Sequence, residues 1–295
     1  MRRLLVGILS AAGMIVLVLD AKTGTQGALE GVELCLKVVI PSLLPFIVLS
    51  SIWGSHSGGH KSLLMLPLYR ATGIPPEQSS ILLLGMLGGY PVGAKNVSDT
   101  YKRGEISKET AQRLLGFCNN AGPSFIFGLL SGFFPGIQYL FAIWIIQILS
   151  AIITGIILPH KTAASKHTNY TAPPPLTSLF FHSLKTMAAI CGWVILFRTI
   201  YQFISKYLLQ RCSNVFGILL MGLLELTNGC LLLDHIHNVE LRFVLCNILL
   251  SFGGFCIWLQ TSSVTEGLEK KVFYRGKIIQ TGIAIVLSLL FIIIV

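Results

Sequence analysis

Two stretches decide the fold: Leu82–Lys95, LLLGMLGGYPVGAK, and Leu219–Leu233, LLMGLLELTNGCLLL. Each is apolar enough for membrane depth. Each also carries Gly, Pro, Asn or an acid where a lipid-facing helix carries Leu or Ile. Backbone that breaks inside a bilayer survives only where protein buries it or a watery cavity solvates it. A matched pair of short, interrupted apolar segments, one in each half of a chain, points to a transporter-type binding site.

The rest of the chain fits a membrane setting. Of 295 residues, 53% are apolar and 12% charged, with mean hydropathy +0.75. Soluble domains carry about 25% charged residues. The net charge of +10 reads as basic cytoplasmic loops rather than a nucleic-acid surface. Cys118, Cys191, Cys230, Cys246 and Cys256 sit in apolar runs without a CxxC motif, so no disulfide framework is expected.

A spanning helix needs about 20 mostly apolar residues. The candidates are 4–19, 31–53, 114–132, 136–158, 183–204, 241–260 and 276–295. Met1-Arg2-Arg3 followed by Leu4–Leu19 reads as a first transmembrane helix, since no small-x-small cleavage site precedes Asp20-Ala21. With the N-terminus inside and both broken stretches, 79–94 and 215–233, entering and leaving on one side, the loops 54–113, 159–182 and 261–275 are cytoplasmic. They collect most of the 22 basic residues, as the positive-inside bias requires. The alternative is that one of the broken stretches crosses.

The expected fold is therefore all-α and polytopic, with about seven spans plus two re-entrant hairpins in inverted repeats. Residues 1–158 form the first repeat, with 136–158 able to pair with the second half instead. A polar, Pro-rich cytoplasmic linker covers 159–182, the second repeat core covers 183–265, and 276–295 adds a C-terminal span. Gly85 aligns with Gly222, and Gly122-Pro123 falls near Gly253-Gly254.

Three motifs could carry chemistry. In the first, Gly88, Gly89, Tyr90, Pro91, Gly93 and Lys95, the proline frees a carbonyl and the glycines let a ligand approach backbone. Lys95 could serve an anion or snorkel from a kinked, tightly packed helix. The motif fails as a P-loop because the Lys comes one residue late and no Ser or Thr follows. In the second, Asn119, Asn120 and Ser124 flank Gly122-Pro123, so amides, a hydroxyl and freed carbonyls share one depth; interhelical hydrogen bonding is the competing role. In the third, Glu225 stands with Thr227 and Asn228. An intramembrane acid marks a functional site by default, and the competing role is an ion pair with Arg198. Glu33 and Lys37, four residues apart, read as a structural pair. Asp234, His235 and His237 are too weak a group for a metal site, and no acid, base and nucleophile cluster suggests an enzyme.

GYPVGAK at 89–95, GEISKETAQRLLGFCNNAGPSFIFG at 104–128, LLELTNG at 223–229, SFGGFCIWLQ at 251–260 and PSLLPF at 41–46 together resemble the sporulation integral membrane proteins of the YlbJ type. That group sits in the nucleoside-recognition (Gate domain) superfamily. The resemblance spans roughly residues 30–265. It implies a multi-spanning protein of an endospore-forming bacterium, in the cytoplasmic or the mother-cell/forespore membrane, with a role in spore formation.

The functional expectation is a permease-like transporter for a small polar or anionic solute. Gly88–Lys95 and Glu225–Gly229 would be opposed gates, with Asn119, Asn120 and Ser124 lining the site. No cofactor, metal or nucleic acid is expected; the partners are the bilayer and the solute, and homo-oligomerisation is left open. The rival expectation is a non-transporting membrane scaffold for spore assembly.

Overall fold

The computed structural model describes residues 2–56, 68, 71–74, 79–159, 174–208 and 215–294, and every regular element among them is helical. Most of the expected linker, together with His60, Lys61 and Arg70, lies outside the described residues.

Helix α1 (Arg2–Leu19) turns at Asp20 into α2 (Ala21–Leu34), whose N-terminus Asp20 caps by accepting from Thr23 N at 3.3 Å. A π-helical turn, Cys35–Val39, carries α2 into α3 (Ile40–His56). The widening has a local cause: Pro41 offers no N–H to the Lys37 carbonyl, so the regular ladder cannot close there. Gly27 and Gly31 let α2 lie directly on α9 (Leu176–Tyr207). A Cβ at either position would come within 2.8 Å of the Thr199 or Ile195 Cα. Arg198 on α9 donates to Glu30 at 2.7 Å, and Lys206 to Asp20 at 2.5 Å. That second bond, with help from Thr23 and Tyr207, holds the Asp20 carboxyl well below the usual carboxylate range.

The remaining elements come as interrupted pairs between unbroken rods. In the first half, α4 (Ser79–Leu87) stops at Gly88–Pro91 and resumes as α5 (Val92–Lys102). Next, α6 (Lys108–Leu115), capped by Ser107, stops at 116–122 and resumes as α7 (Pro123–Leu129), with Pro123 at a position that tolerates a missing N–H. The rod α8 (Ile137–Ile157) follows. In the second half, after α9, α10 (Val215–Leu224) stops at Glu225 and resumes as α11 (Leu226–Leu232). Helix α12 (Val239–Phe252) stops at Gly253 and resumes as α13 (Gly254–Val264), and the rod α14 (Lys271–Ile294) closes the described chain. Both halves thus run rod, broken pair, broken pair, rod.

The glycines repeat in the same way. A Cβ on Gly93 would lie 2.9 Å from the Gly85 Cα, so α4 and α5 fold back on one another; Gly229 meets the Gly222 Cα likewise. Each fold-back is crossed by the second break of its half. The Cys118 carbonyl lies against Gly85 and Gly93, while Gly254 packs on the Gly222 and Leu223 carbonyls.

Among the described residues, five helical stretches are long and apolar enough to span a bilayer: Ala21–His56, Ile137–Ile157, Leu176–Tyr207, Val239–Val264 and Lys271–Ile294. Their surfaces keep large apolar side chains exposed, among them Leu49, Phe181 and Ile293, which suits a lipid environment. The protein is a multi-pass integral membrane protein. Against about seven expected spans, five stretches among the described residues qualify by length and apolar composition. The stretch 114–132 is not one rod, because Gly116 and Asn119–Pro123 interrupt it, and the apolar run Leu4–Leu19 is short of a full crossing.

Candidate functional site

The four interruptions converge. Gly88 N closes on the Leu84 carbonyl at 2.9 Å, ending α4. Gly89 then takes a left-handed φ of +73°, a conformation that favours glycine, and Tyr90–Pro91 is cis. A Cβ on Gly122 would lie 2.8 Å from the Gly89 Cα, so the first two breaks touch backbone to backbone. Tyr90 is buried, and its hydroxyl donates to the Leu250 carbonyl, tying the first break to α12. Gly253, at φ +81°, packs beside the Tyr90 ring.

At the third break Glu225 leaves helical geometry (φ −138°) and caps α11. Its two carboxylate oxygens accept from Thr227 N at 3.1 Å and Asn228 N at 2.7 Å. The residue is 2% exposed, and no basic side chain pairs with it among the described residues. Arg198, the partner in the competing ion-pair role, is bonded to Glu30 instead. The cause is local: α2 lies flat on α9 through its glycines, which brings Glu30 beside Arg198.

Glu225 opens onto a cavity of about 480 Å³. Gly89 and Tyr90 line it from the first break, Gly122, Ser124 and Phe125 from the second, Glu225 and Thr227 from the third, and Ile257 and Gln260 from α13. The rest of the wall includes Ile190 and Val194 of α9, residues of the π-turn and the start of α3, and Gly128 and Leu129 of α7. Most of the lining is apolar. Glu225 is its acidic residue and Lys37 its basic one, and Lys37 is itself paired with Glu33 at 2.5 Å on the exposed side of α2. Such a chamber suits a small solute with an apolar body and a few polar groups.

The other residues singled out in the sequence fall elsewhere. Gly88 and Gly93 are packing positions: a Cβ on Gly88 would lie 2.8 Å from a Val92 methyl, and one on Gly93 would run into the Cys118 carbonyl. Pro91 caps α5. Lys95 is buried away from the cavity, donating to Asp99 at 2.6 Å and Ser51 at 3.0 Å. Asn119 and Asn120 bracket the second break. Asn119 donates to Thr261 Oγ1 at 2.9 Å and accepts from Ala94 N at 3.4 Å. Asn120 Nδ2 donates to the Gly85 and Phe117 carbonyls at 3.1 and 2.8 Å, and its Oδ1 accepts from Gln280 at 2.9 Å. These amides supply partners to carbonyls that a broken helix leaves open. Asn228 is buried behind Glu225 with its Nδ2 unpartnered.

Two features escaped the sequence reading. The π-turn forms cavity wall although no glycine marks it. Lys277, which reads as the edge of a basic loop, is fully buried in α14. Its partner Gln280, one turn along an otherwise apolar face, was the available signal.

In an alignment of 316 positions the chain is 24% identical to the sporulation integral membrane protein YlbJ of Bacillus subtilis (strain 168), covering 90% of this chain and 76% of that protein. No family model matches the chain, and no solved structure matches it. The chain is a polytopic membrane protein distantly homologous to a sporulation membrane protein.

Proposed function

We propose that the protein is a permease-type transporter for a small polar or anionic solute, working in endospore formation, and that it belongs with the Gate-domain proteins its motifs resemble. The observation that carries this reading is the cavity of about 480 Å³, walled by interrupted helices from both halves of the chain and holding a buried carboxylate. Broken helices around a largely apolar chamber that holds a few polar groups, on a chain whose halves repeat one element order, suit alternating access by rocking of one repeat against the other. The two fold-back pairs, α4–α5 and α10–α11, are then re-entrant hairpins entering from opposite faces, and the halves are inverted copies.

In this mechanism Gly88–Lys95 and Glu225–Gly229 are the opposed gates. Glu225, Ser124, Gln260 and the Gly89–Tyr90 backbone face the solute. Asn119 and Asn120 keep the first-half breaks open, and Lys37 at the π-turn meets an anionic group by leaving its pair with Glu33. The spore role comes from the name of the distant relative.

The test is solute movement by the full chain in sealed proteoliposomes loaded with a defined mixture of carboxylates, amino acids and nucleosides, with each solute's loss followed by mass spectrometry. At least one should leave wild-type vesicles faster than Gly89→Leu vesicles. Equal retention of every solute in both would end the permease reading and leave a membrane scaffold.

A further inference from the structure

Lys277 is 0% exposed, yet no carboxylate pairs with it among the described residues. Its Nζ donates to Gln280 Oε1 at 2.9 Å and to Asn120 Oδ1 at 3.4 Å, and stands 5.1 Å from the centroid of the Tyr90 ring. The bonding around it fixes which amide atom faces the cation. Asn120 spends its Nδ2 on the Gly85 and Phe117 carbonyls, so only its oxygen is left for the ammonium. Gln280 turns its Nε2 to that same oxygen and its Oε1 to Lys277. Two amide oxygens and an aromatic face are neutral and electron-rich, a set of groups that attracts a cation without neutralising it.

Removing an ammonium from water carries a large desolvation cost even after relaxation. A chain that needed only a space-filler here could use Met or Leu at no such cost. The position also matters. Gly276 packs its backbone on Gly116 and so delivers Lys277 to the junction of the first two breaks. Tyr90, whose ring lies beside the ammonium, is also part of the cavity lining.

We propose that the space between Tyr90, Asn120 and Gln280 is a monovalent-cation site that the chain fills with its own Lys277 ammonium, and that a cation there holds the junction of the first two breaks together. The ligand class is a small monovalent cation, a primary alkylammonium fitting best when the lysine is cut back. The inference stands whether or not the protein moves a solute.

Thermal unfolding of the purified full chain in detergent tests it. Lys277→Met keeps the stem and drops the charge, and should melt well below wild type. Lys277→Ala leaves the space vacant. Its midpoint should rise by about 3 °C or more in about 100 mM methylammonium chloride, relative to equal tetramethylammonium chloride, with wild type indifferent to the exchange. If Lys277→Met melts with wild type, or the two salts act alike on Lys277→Ala, the site holds no functional cation and the proposal is overturned. If Lys277→Ala yields no folded protein, the decision passes to Lys277→Arg, which keeps a cation. A larger monodisperse fraction for Arg than for Met supports the proposal; an equal or larger fraction for Met overturns it.

Discussion

At Gly93 the chain leaves no room for a methyl group, since a Cβ there would run into the Cys118 carbonyl, part of a rigid backbone crossing. At Gly128 a Cβ would meet nothing within 4 Å. Gly93→Ala should therefore cost about 3 kcal/mol or more, the scale of an unrelieved clash in a packed interior, while Gly128→Ala melts with wild type. Thermal unfolding of the two side by side checks this. Glu225 poses a different question, because its carboxylate both caps α11 and faces the cavity. Glu225→Gln keeps an acceptor oxygen for the cap, so its stability should stay within about 1 kcal/mol of wild type. Glu225→Ala keeps none and should lose about 1–2 kcal/mol. Solute loss from proteoliposomes should fall to background in both. A Glu225→Gln protein that transports normally would show that the carboxylate serves the helix and not the solute.

The elements were legible in unequal measure, for physical reasons. The breaks at Gly88–Pro91 and Glu225 announce themselves, because glycine, proline and an acid are poor residues for a lipid-facing helix. The break at 116–122 hides inside an apolar frame: Leu114, Leu115, Phe117 and Cys118 are all fully buried, and Asn119 and Asn120 are satisfied within the protein. From sequence that frame reads as one span bent at Gly122-Pro123, not as two separate helices. The π-turn at Cys35–Val39 adds no marker residue beyond Pro41, so its share of the cavity wall was invisible. The pairing of Arg198 with Glu30 depended on which helix α9 lies against. The signal was the Gly24, Gly27 and Gly31 face of α2, whose meaning appears only once α9 is seen on it. That face carries an element-scale prediction. Gly31→Leu should push α2 off α9, strain the Glu30–Arg198 bond and loosen the wall that the π-turn and Ile190 share. The midpoint should fall by several degrees, whereas Gly13→Leu on α1, where nothing lies within 4 Å, should leave it unchanged. Equal effects would mean that α2 and α9 do not meet closely in the bilayer.

At the scale of the whole molecule the question is whether the two halves are upside-down copies. The element order repeats, and the glycine contacts Gly85–Gly93 and Gly222–Gly229 repeat with it. Order and contacts are the same for a parallel and an inverted duplication, so orientation must be measured. The Lys206–Asp20 bond puts the α1–α2 turn and the C-terminal end of α9 at one end of the molecule. An inverted pair then returns its first hairpin to the cytoplasm at Lys102 and its second to the outside near His237, and brings the chain back inside at Lys271. All three residues are exposed. In a background with the native cysteines replaced, single cysteines at 102 and 271 should resist a membrane-impermeant thiol reagent in intact cells and react once the cells are opened. A cysteine at 237 should react in both. If 102 and 237 label from the same side, the hairpins enter from one face, no pair of opposed gates exists, and rocking of inverted repeats cannot be how this protein works.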